Sequence, residues 1–463
     1  MEQSGYVVAI EIGSSKISGI VGKKNSDGNI QVLSYASEQS SSFIKKGMVF
    51  NIDKTALSLT NIVNRLEGET HMTVNKVYVG LGGKSMHTLP NSVMRSFDDE
   101  VKVTQSLLDE MGRENEQTVY PNLELLKPVP QEYKLENLLI EDPVGVQTMS
   151  IEGRYMNIVA SSSLKRKLNE CLSNAKVEVA DFLLAPLCLA ESVLSDTDKR
   201  SGCVLVDFGA DTTTVVIYKN NIMRNLVVLP IGSSNITKDL ATLLKMEEDE
   251  AEELKLRYGQ VIAQSEDSQE EGEKETIQTS REPVDKRYVE NIVSARAEEI
   301  VANVWNIIQK SGYESQLISG VFVTGGAAEL PGLMDLLERT CKKMKVRRVR
   351  NVWSLMMQDC SSYVDARDMG DTLLSLLVSG KEPCCARNTL HDGELFHHEP
   401  VEPEQPVQSP EPEKTEQKDG NASTTSKTQE KEQSKEKQGQ KKNQKSWTEK
   451  LQNILFGEGS NAD

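Results

Sequence analysis

Tyr6-Val7-Val8-Ala9-Ile10-Glu11-Ile12-Gly13-Ser14-Ser15-Lys16 is an apolar run, a carboxylate and a turn of glycine and hydroxyl residues. Roughly 195 residues later the chain repeats itself: Gly202-Cys203-Val204-Leu205-Val206-Asp207-Phe208-Gly209-Ala210-Asp211-Thr212-Thr213. Each stretch continues alike, with a second strand (residues 17–21 and 215–218), a turn (Asn25-Ser26-Asp27-Gly28 and Asn220-Asn221) and a third strand (30–35 and 222–229). Such runs bounded by turn residues predict β-strands. A third glycine-rich strand end, Gly320-Val321-Phe322-Val323-Thr324-Gly325-Gly326-Ala327, opens onto an expected helix over 328–341. In the first copy an expected helix over 53–67, with Leu57, Leu59, Ile62, Val63 and Leu66 apolar, leads to a buried strand, 74–81, ending in Gly82-Gly83. A repeat of this kind predicts a duplicated α/β body.

Composition limits what surrounds that body. The 463 residues suffice for two or three domains. Lys and Arg number 53 against 70 Asp and Glu, a formal net charge of −17. That balance argues against nucleic acid as a partner, which needs a basic face to displace counterions. Apolar residues make up 37 % of the chain, below the roughly 45–50 % of a globular protein counted with glycine, so part of it lies outside any core. No run of 18 apolar residues predicts a membrane span. The start, MEQSGYVVAIEIG, lacks a basic region and a cleavage site, so no signal peptide is expected. Seven cysteines without a Cys-x-x-Cys, and five histidines, suggest neither a disulfide frame nor a zinc or histidine metal centre, and a reducing cytosol fits.

No Gly-x-x-x-x-Gly-Lys-Ser/Thr occurs, and no Gly-x-Gly-x-x-Gly follows a strand, so P-loop and Rossmann sites are excluded. A hairpin turn of glycine and hydroxyl residues has a phosphate chemistry of its own. Its N–H groups converge on phosphate oxygens, with Ser or Thr donating as well. A Glu or Asp just before it holds Mg²⁺ through water. Two such hairpins facing each other clamp a polyphosphate, and a glycine pair at a third strand end lets an adenosine lie on bare backbone. Singly, each is most often an ordinary turn; together and in this order they are far more specific.

Glu11-Ile12-Gly13-Ser14-Ser15-Lys16, Asp207-Phe208-Gly209-Ala210-Asp211-Thr212-Thr213 and Thr324-Gly325-Gly326-Ala327 resemble the phosphate-1, phosphate-2 and adenosine motifs of the actin-like ATPases, and within them the FtsA family. Pro130-Gln131-Glu132-Tyr133, the run from Gly325 through Pro331 to Leu333 and that from Ala251 to Gly259 support the match, which covers nearly all of residues 5–380. The resemblance implies that Gly13, Ser14, Ser15, Lys16, Gly209, Asp211, Thr212 and Thr213 cradle the phosphates of ATP. It places Glu11 and Asp207 near Mg²⁺, Gly325, Gly326 and Ala327 behind the adenosine, and Glu252 with Lys255 at purine and ribose. Read from spacing alone, that last pair is a solvated i,i+3 ion pair. Two features depart from the family. Ala210 and Asp211 replace phosphate-2 glycines, and Asp211 adds a negative charge where phosphate is expected. At the start of the connecting helix, Leu184-Ala185-Pro186-Leu187, Ala185 stands where related ATPases carry a water-positioning carboxylate, which implies slow turnover at most and no enzymatic role.

The resemblance implies an actin-like duplicated fold with an FtsA-type insertion. Subdomain 1A covers 1–83 and 161–200, with 362–380 returning to it; 1C covers 84–160; 2A covers 201–234 and 300–361; 2B covers 235–299. Subdomain 1C takes part in subunit contacts of filaments, and 2B receives the C-terminal peptide of FtsZ, with Arg296 similar to a position at that groove. Arg296 read by itself is equally a surface ion pair with Glu298 or Glu299.

Residues 408–446 hold no Val, Ile, Leu, Met or aromatic side chain, and such a segment buries too little apolar surface to offset chain entropy. A disordered linker over 381–445 is expected. Composition then reverts: Ser446 and Glu449 form a capping box, and Trp447, Leu451, Ile454 and Leu455 fall in one helical stripe about 100° wide over 446–457. Lys450 and the lysines before it would meet anionic lipid at roughly 1 kcal/mol each. The layout implies a membrane-targeting helix on the cytoplasmic face of the cell membrane at the division site, with FtsZ and later division proteins as partners. The competing readings are a sugar kinase, an exopolyphosphatase-like phosphatase or a pilus-assembly adaptor of the same fold. None of these needs such a tail.

Overall fold

The computed structural model describes residues 5–25, 29–262, 275–342, 344–349, 352, 357–360 and 369–387, all within one compact unit, Met1–Asn388. The expected terminal helix with Trp447, Lys450, Leu451, Ile454 and Leu455 lies outside them, as does the expected linker beyond residue 387.

Strand Tyr6–Ile12 runs antiparallel to Lys16–Lys24, which pairs in turn with Ile30–Gln39. Strand Lys76–Leu81 lies parallel on the other side of Tyr6–Ile12, and Glu178–Leu184 parallel beyond it. Val7, Val8, Ala9 and Ile10 are all buried. Helices cover this sheet on both faces, so its central strand reads as a continuous apolar run rather than an alternating one. Two glycines of the second strand admit those helices. A Cβ at Gly19 would stand 2.6 Å from Ile62 of helix Ile52–Thr70. One at Gly22 would stand 2.8 Å from Leu377 of helix Asp371–Ser379. Asn51 caps the first of these helices through the Lys54 amide, and Leu59, Ile62, Val63 and Leu66 face inward. Leu57 does not: it is 62 % exposed, because the buried stripe runs through Thr55, Ser58 and Leu59 instead.

The second half repeats this plan residue for residue. Cys203–Phe208, Thr213–Lys219 and Ile222–Leu229 form the same antiparallel meander, and Gly320–Thr324 lies parallel to the first. Ile12 pairs with Ile17 as Phe208 pairs with Thr213, and Glu11 with Ser18 as Asp207 with Thr214. Across the parallel pair, Glu11 meets Gly80 as Asp207 meets Thr324. Side chains alternate as strand parity requires. Val204, Val206, Val215 and Ile217 pack on helix Lys286–Lys310, while Cys203, Leu205, Val216 and Tyr218 join the core of the first half.

The insertion between the halves of the first domain builds three long strands, His87–Lys102, Leu123–Leu135 and Gln147–Ser161, with helix Gln105–Glu116 on them. By chain it belongs to the first half, yet its strands extend the sheet of the second through the bridge Val227↔His87. Pro130-Gln131-Glu132-Tyr133 seals this joint. Arg224, only 2 % exposed at its side chain, meets Glu132 at 2.5 Å. Its guanidinium also donates to Gln131 and the Lys219 carbonyl, both at 3.2 Å, and Gln131 donates to the Met223 carbonyl at 3.0 Å. Removing one member of a buried ion pair strands the other. Glu132→Gln, which leaves the buried guanidinium without its counter-charge, is therefore expected to lower the unfolding free energy by about 3–5 kcal/mol, and Glu132→Gln combined with Arg224→Met, which removes the stranded charge as well, by clearly less. Urea unfolding of both variants checks the ranking.

Candidate functional site

The two repeated turns are β-hairpins with two-residue tips. The Gly13 amide donates to the Lys16 carbonyl at 3.1 Å, and the Gly209 amide to the Thr212 carbonyl at 2.9 Å. Carbonyls of both turns are held from behind. Ser40 donates its hydroxyl to Gly13 at 2.7 Å and its amide to Ser15 at 2.9 Å. The first amides of helix Ser233–Leu244 donate to Gly209 and Ala210 at 3.1 and 2.8 Å. No hydrogen bond among the described residues uses the amides of Ser14, Ser15, Ala210 or Asp211.

Both turns open on one cleft of about 580 Å³. Its wall includes Glu11, Gly13, Ser14, Ser15, Lys16, Asp207, Gly209, Asp211, Thr212, Glu252, Lys255, Gly325, Gly326 and Ala327, so residues from four distant segments meet there. Thr213 is the exception among the expected residues. It is fully buried, and its hydroxyl donates to the Ile231 carbonyl at 2.8 Å. Thr212 and Thr214 line the cleft, so strand alternation turns Thr213 to the other face.

Gly325 ends its strand at φ +92°, and a Cβ there would run into the Asp207 carboxylate and the Phe208 carbonyl. Only glycine fits both the backbone angle and the space. Gly326, next to it, has nothing within 4 Å of a would-be Cβ: it faces open cleft. Glu252 and Lys255 are ion-paired at 2.7 Å, and Thr237 bonds to both. Lys16 reaches Tyr35, its ammonium 3.2 Å from the phenol oxygen. Ala185 lines the cleft at the start of helix Ala185–Val193 with Pro186 behind it, so no carboxylate stands there.

The floor is acidic. Burial, then the charge of Asp207, pushes the Glu11 carboxyl up to about 7, against a smaller opposing effect of Lys16. Burial, then the charge of Asp371, pushes Asp207 up to about 6. Asp371 accepts from the Thr324 hydroxyl at 2.9 Å and the Val352 amide at 3.1 Å, and so ties the second half to helix Asp371–Ser379. Among the described residues no group of three or more His, Cys, Asp or Glu could grip a metal by itself.

Other residues on the wall escaped the motif reading: Gly370, Asp371 and Thr372, the Gly82-Gly83 end of the equivalent strand, and Gly47. Only Gly82-Gly83 had left a mark in the sequence, as a strand end. Arg296, expected at a partner groove, is 9 % exposed. Its guanidinium forks onto Asp239 at 2.6 and 2.8 Å and also pairs with Glu299, so the ion-pair reading describes its contacts here, with a second carboxylate the sequence did not point to.

Two matched halves clasping a glycine-lined, carboxylate-floored cleft define an actin-like protein. Among solved structures, the PilM-PilN type IV pilus biogenesis complex shares the fold, with a TM-score of 0.56 at 15 % identity over 80 % of this chain and 96 % of that one. The family model described as Cell division protein FtsA matches residues 204–362. The Cell division protein FtsA of Porphyromonas gingivalis is 28 % identical over 392 residues, covering 83 % of this chain and 80 % of its own length. That of Neisseria meningitidis serogroup B is 28 % identical over 344 residues, 73 % and 82 % respectively. The resemblance to FtsA carried by the three motifs is thus shown independently by family model and by relatives.

Because the folded pKa values of Glu11 and Asp207 lie above those of free carboxyls, the folded state holds these protons more tightly than the unfolded chain. The stability this contributes is present below about pH 4 and is lost as pH rises through 6 and 7. Asp207→Asn is expected to melt higher than the parent at pH 8 without divalent cations, and about equally at pH 4. Each kcal/mol relieved should appear as about 1–2 °C in a body of this size. Thermal melts from pH 4 to pH 8 check this.

Proposed function

We propose that this chain is an ATP-binding, actin-like cell-division protein that assembles with its own copies on the cytoplasmic face of the cell membrane, anchors FtsZ filaments there and recruits later division proteins. The observation that carries the reading is the convergence of Gly13–Lys16, Gly209–Thr212 and Gly325–Ala327 on one cleft; the relatives' shared name supplies the cellular role.

In this reading the amides of the two tips take the phosphates, with the hydroxyls of Ser14, Ser15 and Thr212 and the Lys16 ammonium beside them. Gly325, Gly326 and Ala327 back the adenosine, and the Lys255–Glu252 pair meets the sugar. Burial and the charge of Asp207 raise the proton affinity of Glu11, and burial and the charge of Asp371 that of Asp207, the signature of a site short of positive charge. That fits Mg²⁺, which keeps several waters and asks for one or two carboxylates plus phosphate oxygens rather than a protein cage. The ion would offset the charge of the carboxylates and of the phosphates together. Ala185 supplies no group to orient a water, so hydrolysis is slow and ATP acts chiefly as a structural and switching ligand. That weighs against the kinase and phosphatase readings, and the likeness to the pilus complex is one of fold alone.

FtsZ's C-terminal peptide is assigned to subdomain 2B, residues 235–299. Arg296 serves it by holding helices Ser233–Leu244 and Lys286–Lys310 together through Asp239. The tail serves the membrane. Four apolar side chains at roughly 2 kcal/mol each must offset the ordering of a short helix, so one copy binds weakly and a filament of many copies binds firmly.

Mg-ATP at millimolar concentration is expected to raise the melting temperature by mass action. Gly326→Arg, which projects into open cleft without a clash, should abolish that shift while leaving the unliganded melt close to the parent's. A parent protein indifferent to ATP would overturn the site. Separately, Trp447→Glu or Leu451→Glu should release the polymerised protein from anionic liposomes with ATP binding intact. Sedimentation equal to the parent's would overturn the anchor.

A further inference from the structure

The tip of a short hairpin from the first half, Lys46 and Gly47, bridges the two phosphate turns. Both residues are left-handed, at φ 54° and 70°, the pair of positive angles that a two-residue type I′ turn requires. Their successive amides each meet one turn. Gly47 donates to the Ser14 hydroxyl oxygen at 2.8 Å, and Lys46 donates to the Asp211 carboxylate at 2.9 Å. The tip is locked from below. Lys84 donates to the Lys46 carbonyl at 3.0 Å, and a Cβ at Gly47 would stand 2.6 Å from the Cα of Gly83. Consecutive amides in this conformation form an anion-binding concavity. One of the two is thus already occupied by an anion, and that anion is part of the second phosphate turn.

Strand register gives Asp211 its meaning. The turn pairs Gly209 with Thr212 as the first pairs Gly13 with Lys16, so Asp211 occupies the position of Ser15. One turn presents a neutral hydroxyl residue at this place and the other a carboxylate. On the nucleotide reading proposed above, on which this inference rests, the terminal phosphate must come to lie between these two tips. Its oxygens then compete with Asp211 for amides and repel its charge.

We infer that Asp211 is a specificity-determining residue: its carboxylate mimics a terminal phosphate, latches the second half to the Lys46 amide when that phosphate is absent, and lowers the affinity for nucleoside triphosphate relative to diphosphate. Departure from the latch, rather than hydrolysis, is then what distinguishes the triphosphate state.

Asp211→Asn separates charge from latch, because the amide oxygen still accepts from Lys46 while the charge is gone. The affinities of parent and variant for Mg-ATP and Mg-ADP are measured by titration calorimetry on the full chain. The variant is expected to bind ATP about tenfold more tightly with ADP changed less than threefold, and to melt within about a degree of the parent without ligand. Asp211→Gly, which loses both, should show the same preference for ATP but a lower unliganded melting temperature. An unchanged ratio of ATP to ADP affinity in both variants, with nucleotide bound, overturns the inference and leaves the nucleotide reading standing. If neither nucleotide binds to parent or variants, the nucleotide reading falls and this inference with it.

Discussion

Two carboxylates are held at the floor of the cleft on opposite halves of the molecule. Glu11 and Asp207 are placed by the same strand, the same register and the same turn, repeated in two sheets. Symmetry leaves no alternative: a duplicated hairpin that faces its copy must bring its carboxylate to face a carboxylate. The molecule tolerates this by holding protons, with Glu11 raised to about 7 and Asp207 to about 6. Near neutral pH, then, the pair is partly ionised and answers to any cation that enters. The rest of the site follows from that constraint. Carbonyls of both turns are tied back by Ser40 and by helix Ser233–Leu244, which leaves the amides of the turn tips on the cleft side. Lys16 brings a positive charge to one side only.

Much of this was legible because hairpins are local. The apolar run, the carboxylate, the glycine and the next strand lie within a dozen residues, and their repetition fixes a two-fold plan without any long-range contact. The same locality explains what escaped. Lys46 reaches Asp211 across 165 residues, and Lys46–Gly47 looks in sequence like any short turn. Asp371 bonds to Thr324, 47 residues away, from the first turn of a helix whose sequence signal is simply Leu-rich. Thr213 shows the opposite error. Its resemblance to a phosphate motif put it in the site, but alternation along a strand allows only Thr212 and Thr214 to face the cleft. Parity decides such a case more securely than motif membership.

Arg296 and Arg224 show how far charge can be read without a fold. Both are cations on amphipathic or strand-like segments, and neither sequence context distinguishes an exposed handle from a buried clamp. In the structure Arg224 is closed in by Glu132, Gln131 and the Lys219 carbonyl, and Arg296 by Asp239 and Glu299. Each carboxylate lies on a different element from its arginine except Glu299, the one partner that an i,i+3 spacing could supply. Pro130-Gln131-Glu132-Tyr133 therefore matters less as a family signature than as half of a joint.

That joint bears on how the halves communicate. The insertion leaves the first half at residue 84 and returns to it by 163, yet its strands are hydrogen-bonded into the sheet of the second. The halves also share an apolar seam through Leu205, Val216 and Tyr218, and the polar bonds Thr324–Asp371 and Asp211–Lys46 cross at the cleft. A ligand that alters the last two acts at one end of a sheet whose other end is the insertion. Close packing transmits such a shift rather than absorbing it, because a core at crystal-like density has two good arrangements more readily than a continuum of poor ones. An inserted domain built into the far sheet is thus mechanically coupled to the second half's side of the cleft. Covalent connection to the first half alone would not achieve this.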